Sequence, residues 1–534
     1  MSAADPTPQL HEAAPADPAV PAAVPDSAVP AAVPDSAVPA AVLDSAVPAA
    51  TAASPVTPPA SARAAAPRTR RRPPRVGVGV GLGADGAAAV TGAVWRNWGR
   101  TEAVRPARVE RPATPDAVQR AVAAAARAGI RIKAVGAGHS FTGIAVATGV
   151  QLDLSDLSGV LAVDQERSRV TLAAGTRLYD LPRLLRPHGL ALANMGDIDR
   201  QSISGAISTG THGTGAGFGG IATQVVGAEL VTGTGELLRV GDTGGGAATG
   251  TDAENADLLP AVALGLGALG ILVSVTLQCV PAFVLHAVER AEPLGELLDT
   301  LETRVRASDH FEFYWFPHTQ TALTKTNTRL SATAPRSPLT PARRVVDDWL
   351  VSNQLFGLTC SLGRLASPVI PHINRLAEKL TGTREFTDHS QRVFATRRTV
   401  RFREMEYALP AAEVPAVLRE IDALIERRGW RISFPIEVRF AAADDLWLST
   451  ASGRATGYIA VHRFFREPHA TYFEAVEEIM TAHAGRPHWG KLHTRKADDL
   501  RELYPRFDDF VALRDRLDPA RLFANSYLDR VLGA

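Results

Sequence analysis

The stretch Val135-Gly-Ala-Gly-His-Ser-Phe-Thr-Gly143 decides how this chain is read. It follows Ile130-Arg-Ile-Lys-Ala-Val135, a short apolar run that predicts a strand. Gly136 and Gly138 bracket a turn that can take positive φ and admit a large ligand against the main chain. The bare N–H groups of such a turn, from Gly136 through Ala137 to Ser140, can hold phosphate oxygens. His139 then lies beside whatever the phosphates belong to. Taken alone, the segment is equally well explained as a loop histidine in a tight turn.

Two further runs have the same character. Gln201-Ser-Ile-Ser-Gly-Ala-Ile-Ser-Thr-Gly-Thr-His-Gly-Thr-Gly215 alternates small, hydroxyl and glycine residues, among them Ser202, Gly205, Ser208, Thr209, Gly210, Thr211, His212 and Gly213. It offers many donors and little bulk, which suits a pyrophosphate lying along the backbone. Gly265-Leu-Gly-Ala-Leu-Gly-Ile-Leu-Val-Ser-Val-Thr-Leu277 sets glycines before a β-branched strand, and a flat ligand fits against Gly270 and Ile271.

Working outward, Thr114-Pro-Asp-Ala opens a helix with a hydroxyl N-cap, proline at N1 and an acidic first turn; Val118, Val122 and Ala125 mark its apolar face. Short alternating strands are predicted at Val150–Leu154, Val160–Val163 and Arg169–Ala173, a helix at Leu178–His188, and a hairpin over Val225–Val240 around Gly233-Thr-Gly235. From Val284 the pattern changes. Strands at Phe311–Pro317, Arg398–Tyr407, Arg431–Phe440 and Tyr458–Phe464, with a helix at Val414–Arg428 and helical periodicity from Arg343 to Leu380, read as an antiparallel sheet covered by helices on one side. The fold class is α+β.

Residues 1–75 are a different polymer. Ala19-Val-Pro-Ala-Ala-Val-Pro-Asp-Ser27 begins again at Ala28 and at Ala37, and such a composition buries too little surface to offset ordering entropy, so a disordered tail is expected. The remainder divides into 93–282, 283–485 and 486–534. Across all 534 residues Lys+Arg 57 against Asp+Glu 56 gives a net charge of +1, which argues against nucleic acid as a partner. Two cysteines, Cys279 and Cys360, form no disulfide framework, and a reducing, cytoplasmic compartment is the expectation. No run is long and apolar enough for a membrane span; Trp349–Leu365 is amphipathic and reads as a buried helix, with contact to a membrane surface as the alternative. Arg70-Arg-Arg72 reads as a solvated basic patch rather than an export signal.

Gly81-Leu-Gly-Ala-Asp-Gly86 matches the dinucleotide fingerprint literally, but the strand before it is half glycine, the helix after it breaks at Gly92, and no carboxylate follows at the required distance. Metal is not expected either. His488 and His493 are not at a helical ligand spacing, and no cysteine or carboxylate cluster completes a shell with them, His212 and His462.

Seven motifs in order, Asn97-Trp-Gly-Arg-Thr101, Gly136-Ala-Gly-His-Ser140, Leu192-Ala-Asn-Met-Gly196, Gly210-Thr-His-Gly213, Pro435-Ile-Glu-Val-Arg439, Pro487-His-Trp-Gly-Lys491 and Asn525-Ser-Tyr-Leu528, resemble the vanillyl-alcohol-oxidase (PCMH-type) flavoproteins. More narrowly the chain is similar to the aldonolactone oxidases and the related alditol oxidases, from Trp95 to Leu532. The resemblance implies a two-lobed FAD-binding domain at 93–282, a cap domain at 283–485 and a C-terminal segment returning to the first. It implies oxidation of an aldono-1,4-lactone of the L-gulono or D-arabinono type, with reoxidation by O2 giving H2O2. A sugar alcohol as substrate, or a dehydrogenase using another acceptor, are the alternatives.

The resemblance also assigns roles. FAD is attached covalently through His139. Glu437 and Arg439, at i and i+2 of a strand and so on one face, bind substrate oxygens, although the same pair reads as a structural ion pair. Lys491, one of five lysines, stabilises charge on the reduced cofactor, where a snorkelling surface lysine is the plain reading. Ser202 corresponds to a substrate-contacting serine of the alditol oxidases, and His462 on its strand faces the same site, with a core histidine as the equal alternative. Gly196 stands where related dehydrogenases carry alanine, and its missing methyl is expected to leave a void through which oxygen reaches the cofactor, with a glycine required by turn geometry as the plain reading.

Overall fold

The computed structural model describes residues 81–82, 88–89, 93–243, 255–340, 370–371, 374, 383–396 and 400–534. They all belong to the unit Val76–Ala534. The repeats of 1–75, the arginines at 70–72 and the Trp349–Leu365 helix lie outside the described residues, as does nearly all of 343–380.

The helix Pro115–Ala128 starts where Thr114 Oγ1 accepts the Ala117 N–H and ends at Gly129, whose φ of 62° closes it in the left-handed region. Its buried face is Val118, Ala121, Val122 and Ala125. The chain then enters the strand Ile132–Val135, which pairs parallel with Val150–Asp153; that strand pairs parallel with Arg108–Glu110. The 136–140 loop therefore leaves the carboxyl edge of a parallel sheet, where βα units place ligands.

A five-stranded antiparallel sheet follows in the order Leu237–Gly241, Val225–Val231, Ile271–Gln278, Arg169–Ala173, Val160–Asp164. The predicted 178–188 helix is broken into a 3-10 turn, Leu181–Leu185 and a second 3-10 turn, because Pro182 and Pro187 remove the N–H groups that would continue it. Gly81–Leu82 pairs antiparallel with Ala88–Ala89, a hairpin rather than the parallel unit a dinucleotide fingerprint requires.

The second sheet has eight strands in the order Arg384–His389, Phe283–Pro293, Thr321–Ser331, His310–Trp315, Ile436–Ala441, Thr456–Phe464, Phe402–Pro410, Arg486–Pro487, with every pair antiparallel. Two strands start later than their sequence suggests. Pro435 delays one to Ile436, and the other runs Phe402–Pro410. Phe311, Phe313, Trp315, Met405, Tyr407, Ile436, Val438, Ile459 and Val461 share one core with the helices Val414–Arg427 and Ala470–Ala482. Side chains alternate along a strand, so the residues between these turn to the opposite face. They are Glu312, Tyr314, Glu404, Glu406, Glu437, Arg439, Tyr458 and His462, and all but Tyr314 are buried. Over the strands 310–315, 436–441, 456–464 and 402–410, one face is a hydrocarbon core and the other carries most of the sheet's buried charges.

The glycine-rich run joins the two sheets. Ser202 caps the short helix Ile203–Ser208, and further on the Gly215 N–H donates to the Phe440 carbonyl while Thr214 Oγ1 bonds the Phe311 carbonyl. The C-terminal segment returns across the first sheet. The Asn525 amide donates to the carbonyls of Gly143, Ile144 and Val146 at 3.0–3.1 Å, while its oxygen caps Ser526–Leu532. Among the described residues no helix is long and apolar enough to cross a membrane.

Candidate active site

Two cavities meet at one histidine. The larger, about 1100 Å³ of open space, is lined by Lys133–Ser140, by Gln201, Ser202, Ser204, Gly205, Ser208 and Thr209, by Gly265–Gly267 and Leu269–Leu272, and by Phe523. All three glycine-rich segments that the sequence singles out converge here. Gly138 has φ +67°, and a Cβ on Gly136 would lie 2.6 Å from Ser202 Oγ, so the two loops approach as only glycine allows. At the far end Lys133 Nζ donates to the Gly267 and Phe523 carbonyls at 3.0 Å each. Burial pushes its pKa down to about 7 against the pull of Asp518 and Asp529. A long slot walled by backbone, glycine and hydroxyls fits a dinucleotide such as FAD.

The smaller cavity, about 600 Å³, is lined by Trp98, His139–Phe141, Gly196–Ile198, Gln201, Thr209, Thr211, His212, Phe402, Glu404, Glu406, Arg439, His488, Gly490 and Lys491. His139, Ser140, Gln201 and Thr209 line both. The His139 ring stacks on the Trp98 indole, centroids 5.7 Å apart and planes 16° from parallel. Burial first, then Arg177, Lys491 and Arg200, hold its pKa down at about 4, so at neutral pH the imidazole carries a free lone pair.

The charged face of the eight-stranded sheet forms the chamber's wall. Arg439 is ringed by carboxylates: Glu437, two residues back, in direct ion pair; Glu312 at 3.0 Å; and Asp197 at 3.3 Å. Glu312 in turn holds Lys325 at 3.2 Å, and the Tyr314 hydroxyl donates to Glu437 at 2.7 Å. Burial opposes the guanidinium charge, but these carboxylates raise the Arg439 pKa well above its ordinary value. Lys491 sits between Glu404 at 2.5 Å and Glu406 at 3.7 Å, with one fifth of its side chain exposed. Burial works against both carboxylates, yet the Lys491 ammonium between them holds Glu404 at about 2 and Glu406 well below its usual range.

The sequence-predicted residues divide between these places. Gly136–Ser140, Ser202, Gly205, Ser208, Thr209, Gly270 and Ile271 line the cleft. Thr211 and His212 line the chamber, and Gly210 and Gly213 line neither: a Cβ on Gly213 would meet the Met195 carbonyl at 2.1 Å. Arg439, Lys491 and Gly196 line the chamber; Glu437 and His462 stand behind its wall, and Ser202 faces only the cleft. Glu437 and Arg439 are an ion pair, of which only Arg439 faces the chamber.

Two expectations need correction. Carboxylates do join the histidines: His212 Nε2 lies 3.2 Å from Glu406, and His212, Glu406 and His488 bring ligand-type atoms within 4.8 Å of one another. Residues far apart in sequence made this grouping, and the Lys491 ammonium already supplies a cation to it. The His488 Nδ1 accepts the Gly490 N–H at 3.0 Å, which leaves the ring's proton on Nε2, on the side of this grouping. At Gly196 the expected void is absent. A Cβ there would lie 3.0 Å from the His212 carbonyl and 3.3 Å from Thr211 Cγ2, so the missing methyl is space taken by the 211–212 chain. Its φ lies outside the left-handed region, so turn geometry does not demand glycine either.

Sequence reasoning missed Asp197, Glu404, Glu406, Trp98 and the chamber role of His488. A signal existed for two: Phe402-Arg-Glu-Met-Glu-Tyr407 puts two acids on one face of a strand whose other face is apolar.

A family model described as an FAD binding domain matches residues 106–241, and one described as D-arabinono-1,4-lactone oxidase matches 275–531. The chain is 44% identical to the L-gulono-1,4-lactone dehydrogenase of Mycobacterium tuberculosis, over 82% of this chain and 99% of that one. It is 32% identical to the L-gulonolactone oxidase of Bos taurus, over 82% and 98% of the two chains. It is 30% identical to the alditol oxidase of a Streptomyces species, again over 82% and 98%. Among solved structures, cholesterol oxidase from Brevibacterium sterolicum superposes with a TM-score of 0.70 at 19% identity, covering 85% of this chain and 100% of that one, which establishes a shared fold.

Proposed function

This chain belongs to the aldonolactone oxidase family of FAD-linked oxidoreductases, and from that premise we propose that it oxidises a CH–OH group of an aldono-1,4-lactone of the L-gulono or D-arabinono type. The observation that carries the reading is the meeting of the two cavities at His139: a backbone-walled slot for the cofactor opens onto a chamber bearing Arg439 and Lys491. FAD, when bound, supplies the hydride acceptor. Residues 93–282 hold it, 283–485 cover it, and 486–534 return to brace the first.

The chain's own residues do the rest. Arg439 presents a guanidinium edge to the chamber and binds a substrate oxygen; Glu437, Glu312 and Asp197 fix its orientation. Lys491 faces the chamber as a cation and stabilises the negative charge that builds up there as hydride leaves the substrate. Ser202 caps the 203–208 helix and shapes the cleft. The neutral His139, clamped by Trp98, is the covalent anchor of the cofactor. If acid precipitation of the protein leaves the yellow colour in the supernatant, that anchor does not exist.

The substrate class is tested by adding L-gulono-1,4-lactone, D-arabinono-1,4-lactone and xylitol in turn without oxygen and following loss of the oxidised-flavin absorbance. Lactones bleach it and polyols do not on this reading; the reverse order moves the enzyme to the alditol class. Molecular oxygen is the second substrate, with hydrogen peroxide as product. The dehydrogenase reading is favoured by the 44% identical relative. Peroxide measured during wild-type turnover separates the two: one peroxide per lactone oxidised is the oxidase, and a wild type that reduces a dye but makes no peroxide is a dehydrogenase.

A further inference from the structure

Oxidation of CH–OH expels a hydride from carbon and a proton from oxygen. Arg439 and Lys491 are already cations, and Asp197 and Glu437 are engaged with Arg439. A group able to take the proton stands beside Lys491. Glu404 on Phe402–Pro410 and His462 on Thr456–Phe464 are cross-strand partners on the charged face. Glu404 Oε1 lies 2.5 Å from Lys491 Nζ and 3.5 Å from His462 Nε2. His462 Nδ1 lies 3.0 Å from the Pro435 carbonyl, which can only accept, so the ring carries its proton on Nδ1 and a lone pair on Nε2. That nitrogen is buried without a hydrogen-bond partner, on a residue 2% exposed. A lone pair opposite a carboxylate is unfavourable until one proton arrives, and then it becomes a charge-assisted hydrogen bond.

We propose that Glu404 and His462 together accept the proton that the substrate hydroxyl loses, an inference that rests on the CH–OH reading above. Glu404, which lines the chamber, takes it from the oxygen, and it comes to rest on His462 Nε2. The balance is complete: the O–H bond breaks and its electron pair forms the carbonyl, the C–H pair leaves as hydride to the cofactor, and an N–H bond forms on His462. Glu404 is only a relay, because Lys491 favours its ionised form. The charged groups facing the ring are Glu404 from the Phe402–Pro410 strand and Glu437 from Ile436–Ala441; Phe402 and Phe434 pack on it, and Lys491 and Arg439 stand beyond the two carboxylates. An added proton therefore meets two negative neighbours. His462 is a positioning residue, acting through Glu404.

The test counts protons. The holoenzyme is mixed with lactone, without oxygen, in weak buffer containing a pH indicator. Wild type should bleach with no proton appearing in the medium in that phase. His462→Gln should bleach roughly 10²-fold more slowly and release one proton per flavin. Long-range nitrogen–proton correlation in histidine-labelled wild type adds a readout that needs no variant: His462 as the Nδ1–H tautomer at rest and as imidazolium after reduction by substrate. Proton release by wild type at the bleaching rate, or a His462 ring unchanged by reduction, overturns the proposal alone. Failure of every lactone and polyol to bleach the flavin overturns the functional reading, and the proton route with it.

Discussion

The cleft and the chamber share four residues and are built on opposite principles. The cleft is made mostly of backbone: glycines, hydroxyls and the carboxyl edge of a parallel sheet, with only Lys133, Asp153 and Arg177 bringing charge to its lining. The chamber is made of side chains, with cations and carboxylates buried in contact on one face of an antiparallel sheet. A cofactor that stays bound is served by fixed, uncharged donors. A reaction that moves charge is served by ionised groups already solvated by one another, since an unpaired buried charge costs several kcal/mol or more. Damage to the cleft should therefore cost cofactor, and damage to the chamber should cost chemistry with the cofactor in place.

The largest expected break is Gly270→Ala, in the lining of the cleft. Its Cβ would lie 2.7 Å from the Val231 carbonyl and 2.8 Å from Leu230 Cδ1, which forces apart the strands behind the cleft. Flavin per protein should fall more than about tenfold, as for other backbone clashes in a packed interior. Retention of full flavin would show that this wall can shift. Next is Arg439→Lys, which keeps the charge and loses the planar fork that three carboxylates hold. It should retain flavin while kcat/KM drops roughly 10³-fold, the size of an impaired buried charge pairing. Loss of flavin in that variant would merge the two regions into one.

Lys491→Met should slow flavin reduction by roughly 10²-fold with a much smaller change in substrate affinity, because the lost interaction grows as charge develops. It also leaves Glu404 and Glu406 buried without their cation, so the variant should bind a proton there that wild type does not. His139→Ala should be milder. The protein still folds and binds flavin, the colour becomes extractable by acid, and turnover falls by about tenfold or less.

The smallest effect is on stability. Burial holds His310 and His488 at about 4, against an ordinary value of 6.5. Above pH 6.5 these rings are neutral in both folded and unfolded chains, and their contribution is fully present. As pH falls from 6.5 toward 4 the unfolded chain takes up protons that the folded chain refuses, so stability is lost across that window. Melting temperature should decline through it, and His310→Asn, on the sheet far from Lys491, should flatten the decline. A melting temperature that rises on acidification would mean the rings bind protons in the fold.

The cleft was legible because its determinants are local. Gly136–Ser140, Ser202–Thr209 and Gly270–Ile271 each announce a backbone that a ligand can approach, and nothing beyond neighbouring residues is needed to see it. The chamber was legible in part. Arg439 and Lys491 stood out, but Asp197, Glu404 and Glu406 did not, because a carboxylate's meaning depends on which cation it meets. Glu406 comes from one strand, His212 from the glycine-rich run and Lys491 from the loop after Trp489, and no spacing links them.

The sequence by itself determined the fold class, the cofactor loops, the family and the alternation that sends Glu404, Glu437, Arg439 and His462 to one face of the second sheet. These follow from steric freedom and from the two-residue period of a strand, which are properties of short segments. Only the tertiary structure decided which charges touch: that Arg439 is shared among three carboxylates, that Lys491 joins two more, and that Gly196 yields to the 211–212 chain rather than to a void. Coulomb energy and van der Waals contact depend on distance, and the distances between residues hundreds of positions apart are set by how the sheets pack.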